Sequence, residues 1–106
     1  MTTATTATAA RTAAVIADRR ARIAAARHAV MNSPEGLRFK AIDAEYGRVL
    51  HAQKRVANDA RYTAAYDRHT ARLRELSVEY TAADAAFMPL YEAYVAHARD
   101  IAEGRA

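Results

Sequence analysis

Apolar residues recur every three or four positions along most of this chain, which is the spacing of one face of an α-helix. The first such stripe contains Ile16, Ile23, Ala26 and Val30, and it predicts a helix over residues 12–31. Ala is the residue with the highest helix propensity, and it fills many of the positions between these four. The sequence therefore predicts a helical first third of the chain.

The residues before this stripe form a separate, low-complexity segment over residues 1–11, with the sequence MTTATTATAAR. Such a composition is compatible with fraying, with a loose helical extension or with ordering by a partner. We therefore predict no fixed structure for residues 1–11. Residues 12–106 are predicted to form a single helical domain, because a chain of this length usually forms one domain.

A clear helix boundary follows at residues 32–35. Asn32 suits a helix end, Ser33 is a favoured N-cap, and Pro34 fits the first position of a new helix. Glu35 would face the positive end of the helix dipole. We expect a turn here between two helices.

Two apolar stripes follow this boundary, and they are one residue out of phase with each other. The first comprises Leu37, Ile42, Tyr46, Val49, Gln53, Val56 and Ala60, and the second comprises Tyr62, Tyr66, His69, Leu73, Leu76 and Tyr80. One residue corresponds to roughly 100° around a helix, so the buried face changes near residues 58–61. We expect one long central helix over residues 34–80, since no Gly or Pro marks a turn at the phase shift. The alternative is a break at Asn58-Asp59, which would give a four-helix bundle.

The next predicted boundary lies between residues 77 and 88. Thr81 and Asp84 have the spacing of a capping box, and Pro89 would kink or restart a helix. A last stripe then leads to Gly104, a suitable C-terminal cap. Its members are Phe87, Leu90, Tyr91, Tyr94, Ala98 and Ile101.

Antiparallel hairpins about these boundaries bring apolar residues together. The first turn would pair Val30 with Leu37 and Ile23 with Ile42, and the second would pair Leu76 with Tyr91, Leu73 with Tyr94 and Tyr66 with Ile101. The predicted fold class is all-α, with three helices in antiparallel hairpins and a long central helix. A layer two helices thick leaves one face open, which favours a second copy or another protein as partner. The predicted interface residues are Ile16, Arg19, Ile23, Val30, Tyr62, Tyr66, Leu73, Tyr91 and Tyr94.

The composition supports this interpretation, because the hydrophobic fraction of 52% contains 29 Ala and only 17 residues of Leu, Ile, Val and Phe. So few large apolar side chains form a thin core at best. With 3 Gly and 2 Pro, the chain lacks the turn residues of many-stranded folds.

The net charge of +4 is concentrated at the start of the chain, where residues 1–33 carry five Arg and one Asp. Exposed arginines contact phosphates or carboxylates, often with two hydrogen bonds. Four of them are candidates for such contacts, namely Arg11, Arg20, Arg22 and Arg27. Arg19 falls inside the apolar stripe and requires an acidic partner there, either Glu45 or an acid across an interface.

Catalytic and metal-binding patterns are missing from the sequence. The chain has no Cys, its four histidines are far apart, and no Glu-x-x-His, H-E-x-x-H, G-x-S-x-G or Gly-rich phosphate loop occurs. We therefore expect no enzyme activity, no metal site and no cofactor. No apolar stretch reaches signal-peptide or membrane-spanning length, so a cytoplasmic protein without membrane contact is expected.

Tyr80 and Asp84 resemble the Y-x-x-x-D/E signal of the small helical substrates of type VII secretion. The chain has no Trp, however, so it lacks the W-x-G turn of that family, and the motif precedes a helix instead of following the last one. Membership of that family is therefore not predicted. A phage or virion protein would match the size and composition equally well.

Two functions follow from these patterns. The first is a noncatalytic helical protein that self-associates or docks on a larger complex through Ala-rich seams and Tyr anchors. The alternative is a small basic accessory protein that binds nucleic acid through the Arg-rich first helix.

Overall fold

A computed structural model describes the backbone of residues 2–106 and the side chains from residue 4 onward. Its elements are helix α1 (Thr2–Met31), helix α2 (Pro34–Val56), a short 3-10 turn (Ala60–Tyr62) and helix α3 (Thr63–Ala102). The described residues contain no strand. The predicted all-α class with three helices, one of them long, is confirmed.

The chain divides into two compact units, and this division corrects the predicted pairing. Unit 1 contains α1 together with Leu90–Ala106, and unit 2 is Asn32–Pro89. Helix α1 therefore shares its unit with the last part of α3, whereas the prediction paired it with α2. The second predicted hairpin is wrong as well, because Leu76, Tyr91 and their proposed partners all lie on α3.

The break at Asn58-Asp59 is present, and the continuous helix over residues 34–80 is wrong. The backbone of Asp59 is extended, with φ −119° and ψ 108°, and its carboxylate accepts a hydrogen bond from the Arg61 N–H at 3.0 Å. An Asp side chain that binds a nearby N–H competes with helical hydrogen bonding. The long helix is thus α3, the third and not the central one.

Helix α3 continues through the region where a connection was expected. Thr81 does not act as an N-cap, because its hydroxyl donates to the Ser77 carbonyl at 2.9 Å in the preceding helical turn. Pro89 lies inside the helix. A Pro lacks the N–H that would bond to the carbonyl four residues earlier, so this point of α3 has one helical bond fewer.

Helix α1 begins about ten residues earlier than predicted. The Thr8 hydroxyl donates to the Ala4 carbonyl and the Thr12 hydroxyl to the Thr8 carbonyl, each at 3.0 Å. These bonds satisfy the polar groups of Thr within a helix, and the intervening Ala residues favour helical structure. The low-complexity composition of residues 2–11 is therefore compatible with a regular helix.

Two predicted helix ends are confirmed by their hydrogen bonds. The Ser33 hydroxyl accepts the Gly36 N–H at 3.1 Å, with Pro34 in the first turn of α2. After the C-terminal end of α3, Gly104 has a φ of 76°, and the Arg105 N–H donates to the Asp100 carbonyl at 2.7 Å. This is the Schellman arrangement, in which Gly adopts the left-handed conformation at low cost.

Unit 2 contains most of the buried apolar side chains. Leu76, Ala83 and Phe87 of α3 are buried, and the Phe39 ring of α2 lies 5.0 Å from Tyr80 and 5.3 Å from Phe87 between ring centroids. The Gln53 amide also donates to the Thr70 hydroxyl at 2.9 Å. These contacts join α2 to the first part of α3.

Gly47 in the middle of α2 gives a prediction about stability. A Cβ placed on Gly47 would meet no atom within 4 Å, so an Ala fits there. We expect Gly47→Ala to raise the free energy of unfolding by about 0.5–1 kcal/mol, because Ala loses less backbone entropy in a helix. Urea denaturation followed by circular dichroism measures this change.

Gly104→Ala is the matched control for Gly47→Ala. Gly104 has a positive φ, and a Cβ there would lie 2.9 Å from Nη2 of Arg19. Gly104→Ala should therefore lower the free energy of unfolding. Equal effects of the two substitutions would show that the conformation of the glycine backbone does not decide their sign.

Candidate interaction surfaces

The first half of α1 is the most exposed helical segment of unit 1. Every described residue from Ala4 to Asp18 is exposed, including Val15 at 46% and Ile16 at 43% of the maximal accessible surface. Ile16 was predicted to lie at an interface, and the structure leaves it uncovered within the chain. The apolar side chains of this segment are therefore exposed in the single chain.

The second half of α1 has one partly covered face. Arg19, Ile23, Ala26 and Val30 are half-buried, as their three- and four-residue spacing predicts. Their neighbours on the other faces of the helix are exposed. The predicted apolar stripe therefore exists, but it is covered only from Arg19 onward.

Arg19 lies against the C-terminal end of α3. A Cβ placed on Gly104 would lie 2.9 Å from the Nη2 atom of Arg19, so the guanidinium approaches the backbone where a larger residue would clash. A cation at this position is favoured by the negative end of the helix dipole. Glu45, suggested as its partner, instead accepts hydrogen bonds from Arg72.

The four arginines predicted to contact phosphates or acids are all exposed on α1: Arg11, Arg20, Arg22 and Arg27. Arg22 lies 3.9 Å from the Asp18 carboxylate. The other three have no ion pair among the described residues. Their guanidinium groups are therefore available to an external anion.

Apolar and aromatic side chains also remain exposed on the α3 part of unit 1. Leu90, Tyr91 and Val95 are exposed, and Tyr94 is half-buried. The Tyr91 and Tyr94 rings lie 5.7 Å apart between centroids, in a tilted arrangement. Both predicted interface tyrosines of this segment thus lie at an accessible surface.

The corner between α2 and α3 contains the other predicted tyrosines. Tyr62 and Tyr66 are exposed, and the Arg61 guanidinium lies 5.5 Å from the Tyr62 ring centroid, within range of a cation–π contact. The Arg61 side chain also donates to both carboxylate oxygens of Asp59, which lowers the pKa of Asp59 and raises that of Arg61. Leu73, about two helical turns beyond Tyr66, is half-buried.

Arg72 joins α2 to α3 through an ion-pair cluster in unit 2. Its guanidinium donates to Glu45 at 2.7 Å and 3.0 Å and to Glu75 at 3.0 Å, and Glu79 lies 3.7 Å away. The hydrogen bonds to Glu45 and Glu75 raise the pKa of Arg72. This cluster pairs the carboxylates of Glu45, Glu75 and Glu79 with one guanidinium group.

A groove of about 380 Å³ lies between α2 and α3 within unit 2. It is lined by Asp43 and Tyr46 from α2 and by Ser77, Tyr80 and Thr81 from α3. All five side chains carry oxygen and none carries a cationic nitrogen. We call this feature the tyrosine groove.

Sequence reasoning missed the tyrosine groove. Tyr46 and Tyr80 occur on apolar stripes, which indicate core or interface positions for both, and no sequence pattern marks Asp43 as part of a site. The groove exists because α2 lies beside the first part of α3. The predicted second hairpin placed Tyr80 next to a turn and gave no such pairing.

Within the described part of the chain, no helix is both long and apolar enough to cross a membrane. The same residues contain no group of three His, Asp or Glu side chains arranged to hold a metal ion. Comparison of the chain with known protein families, with curated proteins and with solved structures finds no match.

Proposed function

We propose that this chain is a noncatalytic helical interaction protein that self-associates or docks on a larger assembly. The observation that carries the proposal is the exposure of every residue of α1 between Ala4 and Asp18. A helical segment whose apolar residues stay exposed gains little packing energy from them. A partner that covers Val15 and Ile16 would supply that energy.

The small core of unit 1 supports the same proposal. Among its described residues, Ile101 is the one hydrophobic side chain that is buried, while Leu90, Tyr91 and Val95 stay exposed. Apolar association would bury these side chains, and Tyr is enriched among residues that dominate binding energy at interfaces.

Self-association predicts a solution mass above the monomer mass of 11.6 kDa. We expect Ile16→Asp to shift the chain toward the monomer, because a charge at this exposed position would have to be desolvated in an apolar contact. Light scattering over a range of protein concentrations measures the mass. The helix content should not change, since Ile16 is exposed in the chain itself.

Val78→Asp is the matched control for Ile16→Asp. Val78 of α3 is 72% exposed, so the same kind of substitution tests a position outside unit 1. It should leave the mass of the wild type unchanged. A wild-type chain that remains monomeric at every concentration would contradict self-association.

Nucleic-acid binding is the alternative function, favoured by the exposure of Arg11, Arg20 and Arg27 without ion pairs among the described residues. The salt dependence of the two kinds of binding distinguishes the two functions. Affinity for a DNA or RNA duplex should fall steeply between low and moderate salt, because it depends on phosphate charges, whereas a self-association that also buries Val15 and Ile16 should fall less. We favour self-association, because the helix that carries these arginines also exposes the apolar side chains of Val15 and Ile16.

A further inference from the structure

We propose that the tyrosine groove binds arginine side chains of α1 from a second copy of this chain. This inference rests on the proposed self-association and names one of its contacts. The groove lies in unit 2, and α1 lies in unit 1, so the contact joins two different surfaces. Two reciprocal contacts of this kind would close a dimer.

The chemistry of the groove fits a guanidinium group. Asp43 supplies a carboxylate that can accept two hydrogen bonds from a planar guanidinium, and Tyr46 and Tyr80 supply aromatic rings on which the cation can stack. Ser77 adds a further hydroxyl acceptor. A volume of about 380 Å³ is sufficient for long side chains to enter from outside.

The groove residues are available for such a contact. The Asp43 carboxylate takes part in no hydrogen bond or ion pair among the described residues, in contrast to Glu45 and Glu75, which Arg72 binds. The Tyr80 ring is held against Phe39, with centroids 5.0 Å apart. One wall of the groove is therefore positioned before a ligand arrives.

Helix α1 offers the complementary charge. Arg20 and Arg27 are exposed and have no ion pair within the described structure, whereas Arg22 lies near Asp18. Because they are seven residues apart, Arg20 and Arg27 lie on the same face, roughly 10 Å apart along the helix axis. Residues 1–33 carry five Arg and one Asp, so α1 is the most basic element of the chain.

Charge reversal on each side tests this contact in the full chain. We expect Asp43→Arg to raise the dissociation constant of self-association at least about 30-fold, since it removes the acceptor and adds a repelling charge. The double variant Arg20→Glu with Arg27→Glu should do the same. Sedimentation velocity at low salt measures the constants, and circular dichroism confirms that the helices are retained.

An equimolar mixture of the two variants is the decisive measurement. The Asp43→Arg chain keeps its α1 arginines, and the double variant keeps its groove, so each mixed pair retains one intact contact. We expect the mixture to form a dimer where each variant alone is monomeric. A contact between two α1 helices would not show this complementation.

Matched controls make the same charge reversals at exposed positions that lie outside both the groove lining and α1. Asp67→Arg replaces an exposed carboxylate that has no ion pair among the described residues, and Arg48→Glu with Arg68→Glu replaces two exposed arginines of unit 2. Both controls should associate as the wild type does.

Three results would overturn the inference. If the Asp43→Arg chain associates like the wild type, the groove is not the contact, although the proposed function stands. If the variant Arg20→Glu with Arg27→Glu loses affinity for a DNA duplex but still self-associates, these arginines bind nucleic acid and not the groove. If the wild type is monomeric throughout, the self-association on which the inference rests fails with it.

Discussion

Leu76→Ala is expected to lower the free energy of unfolding by about 2–5 kcal/mol, the largest effect of any single substitution proposed for this chain. Leu76 is 0% exposed and, with Ala83 and Phe87, belongs to the buried hydrophobic residues of unit 2. Truncation removes buried apolar surface and leaves a cavity. In so small a core, few neighbouring side chains can move in to fill it. Urea denaturation measures the loss.

Val78→Ala is the control for Leu76→Ala, because it removes apolar atoms from the same helix at a position that is 72% exposed. Exposed substitutions of this kind usually change stability by less than about 0.5 kcal/mol. A loss at Leu76 no greater than that at Val78 would show that Leu76 is not part of a folded core.

Pro89→Ala is expected to raise the free energy of unfolding by about 1–3 kcal/mol, because Pro89 lies inside α3 and lacks the N–H that would bond to the carbonyl of Ala85. A Pro in a helix interior lowers stability by about 3 kcal/mol relative to Ala. The expected gain is smaller, because the backbone around Pro89 is already adjusted to the proline ring. Denaturation with urea measures the gain, and hydrogen exchange of the amides around residue 89 should become slower.

Pro34→Ala provides the comparison for Pro89→Ala. Pro34 lies in the first turn of α2, where the N–H that Pro lacks would have no helical partner. The same substitution should therefore have little effect there or be slightly destabilising. A gain at position 34 as large as that at position 89 would contradict an origin in the missing helical bond.

The features that depend on neighbouring residues were predictable. Ser33 caps α2, Gly104 ends the last helix, and Ile23 and Val30 are on the covered side of α1, as their positions in the sequence indicate. Each of these features follows from the helical repeat or from one local hydrogen bond. The phase shift near Asn58 also marked a real discontinuity, although the absence of Gly and Pro there favoured a continuous helix.

The local signals failed where one pattern was compatible with two structures. Thr81 and Asp84 have capping-box spacing, yet the Thr81 hydroxyl binds a carbonyl of the preceding turn, which a helix interior also allows. Asp59 broke the helix that was expected to continue, because its carboxylate binds the Arg61 backbone and side chain. Asp43 and the tyrosine groove had no signal in the sequence at all.

By itself, the sequence determined that this protein is all-α, where α2 begins, how α3 ends and which face of α1 is apolar. Helix propensity, caps and the 3.6-residue repeat act over one or two turns, so they are readable from neighbouring residues. Only the tertiary structure decided that α1 shares a unit with Leu90–Ala106 and that α2 lies beside the first part of α3. Apolar stripes of similar Ala-rich composition can pair in several ways, and the choice depends on contacts between residues far apart in the chain.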